Sequence, residues 1–481
     1  MLYQHLSDMK HALEKVVEVD GNDVRVIDSD RLRHRLIDEL VYNAMFHSSD
    51  EVRYYMKWLI REAAAALVIY PASIHDLYAL VGKRKTSPFT TPAVNIRALT
   101  YDVARAYFRA ARTNHTGAFI FEIAKSEMGY TDQLPLDYAT CILAAAIKER
   151  HQGPVFMQGD HFQVNAANFK ADRTREMEGL MALIDDAIVA GFFNIDIDSS
   201  TLVDLSREDV SEQQELNYSI CAELADYIRG KEPAGVTIAI GGEIGEVGAT
   251  NSTVEEFRAF MDGFTYQFRA VNETAPGICK ISVQTGTEHG GVPAPEGGVE
   301  DVELDFKVLL DIGEVARRDY GVAGTVQHGA STLPDEMFDQ FPRNSTCEIH
   351  LATGFQNMIL DHDAFPTDLK EEMYTWVGNQ LSRDRKPGQT DEQFYYQLRK
   401  KAIGPFKQRM WDLPQQVRDA IMEDVEARFS FYMEKLQVKG TSDLVRDSIR
   451  IHDVKMPAPV SGYTQSADQT MNYILSDPRG E

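Results

Sequence analysis

Apolar and polar residues follow three different patterns along the chain. In about the first 85 residues, apolar side chains recur at spacings of three and four, most regularly over 32–46 and 52–69, which predicts amphipathic helices. From 91 to about 362, short runs of β-prone residues alternate with amphipathic stretches. Beyond 363 the strand-like runs end, and helical patterns rich in charged and aromatic residues continue. The chain therefore predicts a mixed α/β part between two helical parts.

The central part contains eight strand-like runs. They lie at 93–96, 118–121, 155–157, 194–197, 236–240, 279–283, 324–327 and 347–351. Amphipathic stretches lie between them at 101–112, 173–190, 212–229, 253–270 and 304–320. Eight strands, each followed by a helix or room for one, predict a (β/α)₈ TIM barrel. The alternative is a doubly wound open sheet, but such a sheet usually carries a Gly-rich phosphate turn after its first strand, and 93–99 has none.

The same patterns divide the chain into three parts. Residues 1–88 are predicted to form an N-terminal helical extension that ends in a breaker segment at 82–88, and residues 89–362 are predicted to form the barrel. Residues 363–481 form a C-terminal helical extension. Its helical patterns lie at 371–381, 391–402, 415–436 and 442–451. The tail from Pro457, rich in Pro, Ser and Gly, is predicted to be irregular.

Composition excludes several classes of partner. The 481 residues carry a formal net charge of −25, so neither nucleic acid nor an anionic membrane is expected as a partner. Four widely spaced cysteines predict neither a disulfide framework nor a Cys-x-x-Cys zinc site. No secretory signal and no run of membrane-spanning length is visible. We therefore expect a cytoplasmic protein.

Candidate chemistry follows several of the predicted strands. In a parallel barrel the carboxyl ends of the strands line the catalytic face. Asp160 and His161 follow the third run, His289 follows the sixth and His328 follows the seventh. Each histidine taken singly is more often structural. Three imidazoles arriving at one rim predict a catalytic metal site with an open fourth position, to which Glu243, after the fifth run, adds a further candidate ligand.

Carboxylates and glycines near these histidines leave alternatives open. Alternation places Asp196 and Asp198 on one side of the fourth strand, where they would orient ligating histidines, or act as one catalytic and one structural acid. Glycines beside the histidines, with Ser331, would let backbone N–H groups approach an anion, or would only relieve crowding in the loops. Arg97, just beyond the first strand, is better placed to meet a phosphate than the basic cluster at 83–85.

Seven short segments occur in order through the central part: TPAVNIRAL at 91–99, QGDH at 158–161, IDIDSS at 195–200, GGEIGEVG at 241–248, QTGTEHG at 284–290, QHGAS at 327–331 and CEIHLAT at 347–353. Together they resemble the class II, metal-dependent ketose-bisphosphate aldolases, which include fructose- and tagatose-bisphosphate aldolases. The resemblance implies a TIM barrel and reversible aldol cleavage of a phosphorylated ketose in carbohydrate metabolism such as glycolysis. One product would be dihydroxyacetone phosphate or a similar ketone, and the other an aldehyde.

The resemblance also implies roles for particular residues. His161, His289 and His328 would bind one catalytic Zn²⁺, or another divalent metal, with Glu243 at an alternative metal position. Asp160 would move the proton of the C4 hydroxyl during cleavage, and Glu246 would serve proton exchange on the ketone carbon. The residues implied to contact the substrate or its phosphate are Asn95, Gly290, Gly329, Ser331, His350 and Thr353. Asp196 and Asp198 would support the ligating histidines.

Three departures from the family pattern leave a second interpretation open. His350 stands where the family usually has Asn, and the loop after the fifth strand is short. In that loop a capping box at 251–256 favours Glu255 and Glu256 as helix caps rather than catalytic acids. The pair of helical extensions is the third departure. The long C-terminal helical region and the Gly-Asp-His-x-x-x-Asn pattern at 159–165 are also similar to the partner subunit of tagatose-bisphosphate aldolases. The alternative is therefore a non-catalytic aldolase-like subunit that binds a sugar phosphate or stabilises a partner aldolase.

The expected molecular partners follow from both interpretations. We expect a sugar-phosphate substrate, no nucleic acid and no membrane. We also expect a homo-oligomer, either a dimer or a larger assembly.

Overall fold

The structure, a computed structural model, describes residues 2–245, 250–286, 304–459 and 467–476. The N-terminal part is mainly helical, as predicted, but it also contains strands. Its elements are α1 (Leu6–Leu13), β1 (Val17–Asp20), β2 (Asp23–Val26), α2 (Ser29–Arg31), α3 (Ile37–Phe46), α4 (Asp50–Ala66), β3 (Ile69–Ala72) and α5 (His75–Gly82). β1 and β2 form an antiparallel hairpin.

Eight parallel strands form a closed barrel. They are β4 (Thr91–Asn95), β5 (Ile120–Ala124), β6 (Gly153–Gln163), β7 (Asn194–Asp198), β8 (Ala239–Glu243), β9 (Lys280–Ser282), β10 (Thr325–Gln327) and β11 (Thr346–Leu351). Each pairs with the next, and β11 pairs with β4, which closes the barrel. β3 of the N-terminal part adds a ninth strand beside the first half of β6. The (β/α)₈ prediction is confirmed, and each of the eight predicted runs overlaps one of these strands, although several boundaries differ by one to three residues.

Helices follow or connect the barrel strands. They are α6 (Thr100–Thr113), α7 (Lys125–Thr131), α8 (Pro135–Lys148), α9 (Ala166–Ala171), α10 (Arg173–Ala190), α11 (Val210–Lys231), α12 (Val254–Val271), α13 (Phe306–Val315), α14 (Gln340–Arg343) and α15 (Thr353–Leu360). Thr253 and Glu256 form the predicted capping box at the start of α12. Helix capping therefore accounts for Glu256, which lies outside the candidate chemistry.

The C-terminal part is helical, as predicted. Its helices are α16 (Thr367–Gln380), α17 (Asp391–Leu398), α18 (Lys407–Trp411), α19 (Gln415–Lys435), α20 (Ser442–Ser448) and α21 (Ala467–Leu475). The prediction of an irregular tail is wrong for α21. The sequence hides this helix because it is only nine residues long and lies in a tail rich in Pro, Ser and Gly, and packing on the barrel stabilises it: Ile474 is buried beside Gly129 of α7.

Two further sequence predictions can be compared with the described residues. All four cysteines are buried and are free thiols in the structure. Within the ranges given above, no helix combines the length and the apolar composition needed to cross a membrane.

α19 joins the C-terminal part to the hydrophobic core of the barrel. Phe429 is almost fully buried. Its ring stacks on Tyr107 of α6 at 4.0 Å and on Phe355 of α15 at 4.4 Å between centroids. α15 begins at Thr353, one of the candidate site residues, so α19 supports the helix that carries this residue.

We expect Phe429→Ala to lower the free energy of unfolding by about 3–5 kcal/mol, because it removes a buried ring and leaves a cavity against two aromatic neighbours. Urea denaturation followed by circular dichroism measures the change. Tyr266→Ala, which truncates an aromatic residue that is 81% exposed, serves as the matched control. Equal stability of the two variants would show that α19 is not part of the core.

Candidate metal centre and active site

β6 is longer than predicted, and its additional residues belong to the candidate site. The sequence predicts a strand over 155–157 with Asp160 and His161 after it, but the strand continues to Gln163 and includes both residues. Its pairing with β7 shifts register between Gly159 and Phe162, and His161 has a φ of 41°. Adjacent residues of a regular strand point to opposite faces, so the bulge explains how Asp160 and His161 both reach one group of residues. A left-handed conformation costs a non-glycine residue about 1–3 kcal/mol, and such strain concentrates at functional sites.

Two of the three predicted histidines meet at the carboxyl end of the barrel. The ring centroids of His161 and His328 are 4.1 Å apart. Nε2 of His161 lies 3.7 Å from Oδ1 of Asp160, and Nε2 of His328 lies 3.5 Å from the same oxygen. All three side chains are buried. Residues from two strands, separated by more than 160 positions in the sequence, therefore converge on one small volume.

Carboxylates from the next two strands surround His161. Its Nδ1 lies 3.2 Å from Oδ2 of Asp198 and 3.3 Å from Oε2 of Glu243. Potential ligand atoms of these three residues lie within 4.8 Å of one another, and so do those of Asp160, His161 and His328. Imidazole and carboxylate groups are ligands that Zn²⁺ takes in catalytic sites. The described residues therefore fit a divalent metal near His161 and His328.

Two polar side chains hold the carboxylate of Asp160. Asn95, at the end of β4, donates from Nδ2 to Oδ2 of Asp160 at 2.8 Å. Nδ1 of His350, on β11, lies 3.0 Å from Oδ1. The ring of His350 also packs against His328, with centroids 4.3 Å apart. Asn95 and His350, which the resemblance assigns to substrate contact, lie directly beside Asp160.

A buried polar layer lies beside this group inside the barrel. Lys280 of β9 is fully buried, and its Nζ donates to Gln158 Oε1 at 2.7 Å, to Asp196 Oδ2 at 2.9 Å and to Glu348. Oε1 of Glu348 lies 2.8 Å from Nε2 of His350. The layer therefore connects Lys280 through Glu348 and His350 to Asp160. Asp196, expected to support a metal ligand, lies against Lys280, whereas Asp198 lies against His161.

Sequence reasoning missed most of this layer, although a signal was present. Polar residues interrupt runs that are otherwise apolar, as Glu122 does in β5, Lys280 in β9 and Glu348 in β11. Glu348 and His350 are two positions apart, so they share one face of β11. An ionisable residue at an inward position of a buried strand needs a partner, and that requirement predicts a cluster. Gly241 makes room for the cluster, because a Cβ there would lie 2.3 Å from Oδ1 of Asp196.

The charges in the layer determine which groups can do chemistry. Burial alone would lower the pKa of Lys280, but Asp196 and Glu348 outweigh burial and raise its pKa above the usual value. The amine is therefore protonated and has no lone pair with which to attack a carbonyl. Burial raises the pKa of Asp160, but the charges of His161 and His350 outweigh burial and hold its pKa well below the usual value. Asp160 is thus ionised and able to accept a proton.

The candidate phosphate residues lie on the loops after β10 and β11. Gly329 has a φ of 68°, a conformation that favours glycine. Oγ of Ser331 accepts from the backbone N–H of Gly354 at 3.0 Å, which ties the two loops together. Thr353 is the first residue of α15, and its Oγ1 accepts from Nη1 of Arg97 at 3.2 Å. The guanidinium of Arg97 therefore lies beside Thr353, one of the residues predicted to contact a phosphate.

Three predicted residues lie outside the described residues. They are Glu246, the candidate for proton exchange, His289, the third candidate metal ligand, and Gly290, a candidate phosphate contact. Their roles stay predictions.

Comparison with known proteins identifies relatives of the chain. The family described as Fructose-bisphosphate aldolase class-II matches residues 76–434. No curated protein matches the chain. Among solved structures, the fructose-bisphosphate aldolase of Campylobacter jejuni is 17% identical, with a TM-score of 0.46 over 76% of this chain and 94% of that chain.

Two further solved structures are similar at comparable levels. The YdjI aldolase of Escherichia coli K12 is 14% identical, with a TM-score of 0.45 over 76% of this chain and 98% of that chain. The fructuronate-tagaturonate epimerase UxaE of Cohnella laeviribosi is 12% identical, with a TM-score of 0.47 over 91% of this chain and 90% of that chain.

Proposed function

The chain belongs to the class II fructose-bisphosphate aldolase family, and from this premise we propose that it catalyses reversible aldol cleavage of a phosphorylated ketose with the help of Zn²⁺. The products would be dihydroxyacetone phosphate or a similar ketone, and an aldehyde. The proposal includes the substrate class and the metal, both of which go beyond family membership.

One observation carries the proposal. His161 and His328, from different strands, lie with ring centroids 4.1 Å apart, and Nε2 of each lies within 3.7 Å of the same oxygen of Asp160. A metal-assisted aldol cleavage needs a cation beside the carbonyl and a base beside the hydroxyl that loses its proton. His161 and His328 offer ligands for the cation, and Asp160 offers the carboxylate that would act as the base.

The side chains around the site have separate tasks in this proposal. His161 and His328 would hold the metal, together with His289, and Glu243 would hold it at an alternative position. When bound, the metal supplies Lewis-acid chemistry at the ketose carbonyl. Asp160 takes the proton from the C4 hydroxyl as the bond between C3 and C4 breaks, and it returns the proton in the direction of synthesis.

Neighbouring residues keep Asp160 ready for that proton transfer. Asn95 and His350 contact its two oxygens at 2.8 and 3.0 Å, so its carboxylate is held in one orientation. Asp160, His161 and His328 are all buried, which limits access of water to the reacting atoms. Gly329, Ser331 and Thr353 would hold the phosphate, with Gly290.

Removal of metal is the direct test of this proposal. We expect the protein to cleave at least one C6 or C7 ketose mono- or bisphosphate, and we expect a chelator to abolish cleavage and added Zn²⁺ to restore it. His328→Ala should lose bound metal, measured by inductively coupled plasma mass spectrometry. His11→Ala, at a surface position, should retain it.

A different result would favour the non-catalytic interpretation. If no ketose phosphate is cleaved by any metal-loaded sample, the enzymatic proposal is wrong. A chain that then raises the activity of a separate aldolase would act as a supporting subunit. The homo-oligomeric state and the cytoplasmic location stay predictions.

A further inference from the structure

Arg97 lies at the junction of the candidate proton-transfer and phosphate residues. It follows β4 by two positions, and its side chain is 11% exposed. Nε donates to Oε1 of Glu127 at 2.6 Å, while Nη1 donates to Oγ1 of Thr353 at 3.2 Å and to Oε1 of Gln356 at 3.1 Å. One edge of the guanidinium therefore faces the carboxylate of Glu127, and another faces the start of α15.

An ion pair with Glu127 does not by itself explain this position. The pair uses Nε, whereas Nη1 contacts only uncharged oxygens of α15. Within the described parts of the chain, Nη2 makes no hydrogen bond. Arginine presents donors in a planar fork that suits phosphate or carboxylate oxygens. In a chain with a net charge of −25, a largely buried cation beside hydroxyl donors is a specific place for an anion.

We propose that Arg97 binds the anionic group of the substrate, together with Thr353 and Ser331. The inference rests on the proposed function, which makes this group a phosphate ester. Ser331 belongs to the same place because its Oγ accepts from the N–H of Gly354, the residue after Thr353. Arg97 supplies the positive charge that the two hydroxyl groups lack.

The contacts of Glu127 connect this anion site to Asp160. Oε2 of Glu127 accepts from Nδ2 of Asn95 at 2.9 Å, and the same Nδ2 donates to Asp160 at 2.8 Å. Arg97 is held by the other oxygen of Glu127. A phosphate on Arg97 would therefore bind to a framework that also orients the proton-transferring carboxylate, so that binding energy at one end of the substrate helps to position the other.

Binding of inorganic phosphate to the metal-loaded full-length protein tests the proposal. Isothermal titration calorimetry with orthophosphate should show that Arg97→Met weakens binding by about tenfold to a hundredfold, as expected for the loss of charge-assisted hydrogen bonds. Arg97→Lys keeps the positive charge but lacks the planar guanidinium. Its affinity for phosphate should lie between that of Arg97→Met and that of the unaltered protein. Arg258→Met, on the exposed surface of α12, should bind phosphate like the unaltered protein.

A second variant keeps the test decisive if Arg97→Met fails to fold. Arg97→Met leaves the buried carboxylate of Glu127 without its cation, so the double variant Arg97→Met/Glu127→Gln replaces both charges together. It should fold and still bind phosphate weakly. With an active substrate, the variants should raise KM for the phosphorylated ketose by at least tenfold, with a smaller change in kcat.

The outcomes separate this inference from the proposed function. Phosphate binding that is unchanged in Arg97→Met and in the double variant, or that is absent from the unaltered protein, would overturn the role of Arg97. If phosphate binding depends on Arg97 but the protein cleaves no ketose phosphate, the role of Arg97 in anion binding is supported and the aldolase proposal is wrong. Titration with acetate shows whether the site prefers a carboxylate or a phosphate. Tighter binding of acetate would overturn the proposal that the anionic group is a phosphate ester, and tighter binding of phosphate would support it.

Discussion

Asp160→Asn is expected to lower kcat for cleavage of the ketose phosphate by about 10²- to 10⁴-fold, the range usual for loss of a general base. Asn has nearly the shape of Asp but cannot accept the proton of the C4 hydroxyl. Because the metal would be held by His161, His289 and His328, its content per chain should not change. Steady-state kinetics with parallel metal analysis measures both quantities.

The control for this variant is a half-exposed carboxylate. Asp204→Asn, at the surface loop before α11, should keep full activity. Loss of metal from Asp160→Asn would instead make Asp160 a ligand. Full activity in the Asn variant would remove Asp160 from the proposed proton transfer and leave another base to be found.

Replacement of Lys280 has the second large expected effect, this time on stability. Lys280→Met should lower the free energy of unfolding by about 3–5 kcal/mol, because breaking a buried ion pair leaves an uncompensated charge. Here Glu348 and Asp196 would both lose their cation, and both are buried. Urea denaturation at neutral pH measures the loss.

A double variant shows whether the lost positive charge of Lys280 causes the loss of stability. Lys280→Met/Glu348→Gln removes one of the two unpaired carboxylates, so it should recover part of the stability. Lys307→Met, at an exposed position of α13, should leave the free energy of unfolding unchanged. A Lys280→Met protein as stable as the original would mean that the buried carboxylates take up protons at little cost.

The succession of strands and helices could be predicted because it depends mainly on local sequence. Short apolar runs and amphipathic stretches identified all eight barrel strands and the long helices α6, α10, α11 and α12. The pairing of β3 with β6 could not be predicted in this way. β3 is four residues long and lies in a helical context, and only its contact with the barrel makes it a strand.

The candidate site was partly predictable for a related reason. Parallel strands end on one face of a barrel, so polar residues that follow different strands meet there, as Asp160, His161 and His328 do. The length of β6 was not predictable, because Gly159 is a plausible end of a strand. The bulge that turns Asp160 and His161 to one side depends on pairing with β7, which lies more than 30 residues further along the chain.

The sequence by itself determined the barrel, its order of elements and the identity of the residues at its carboxyl end, because those properties follow from periodicity and from the direction of parallel strands. Tertiary structure alone decided which of these residues touch. The contacts of Lys280 with Glu348, of Asp198 with His161 and of Arg97 with Thr353 join residues 37 to 256 positions apart. Such contacts depend on side-chain packing inside the closed barrel, and local sequence patterns carry no information about them.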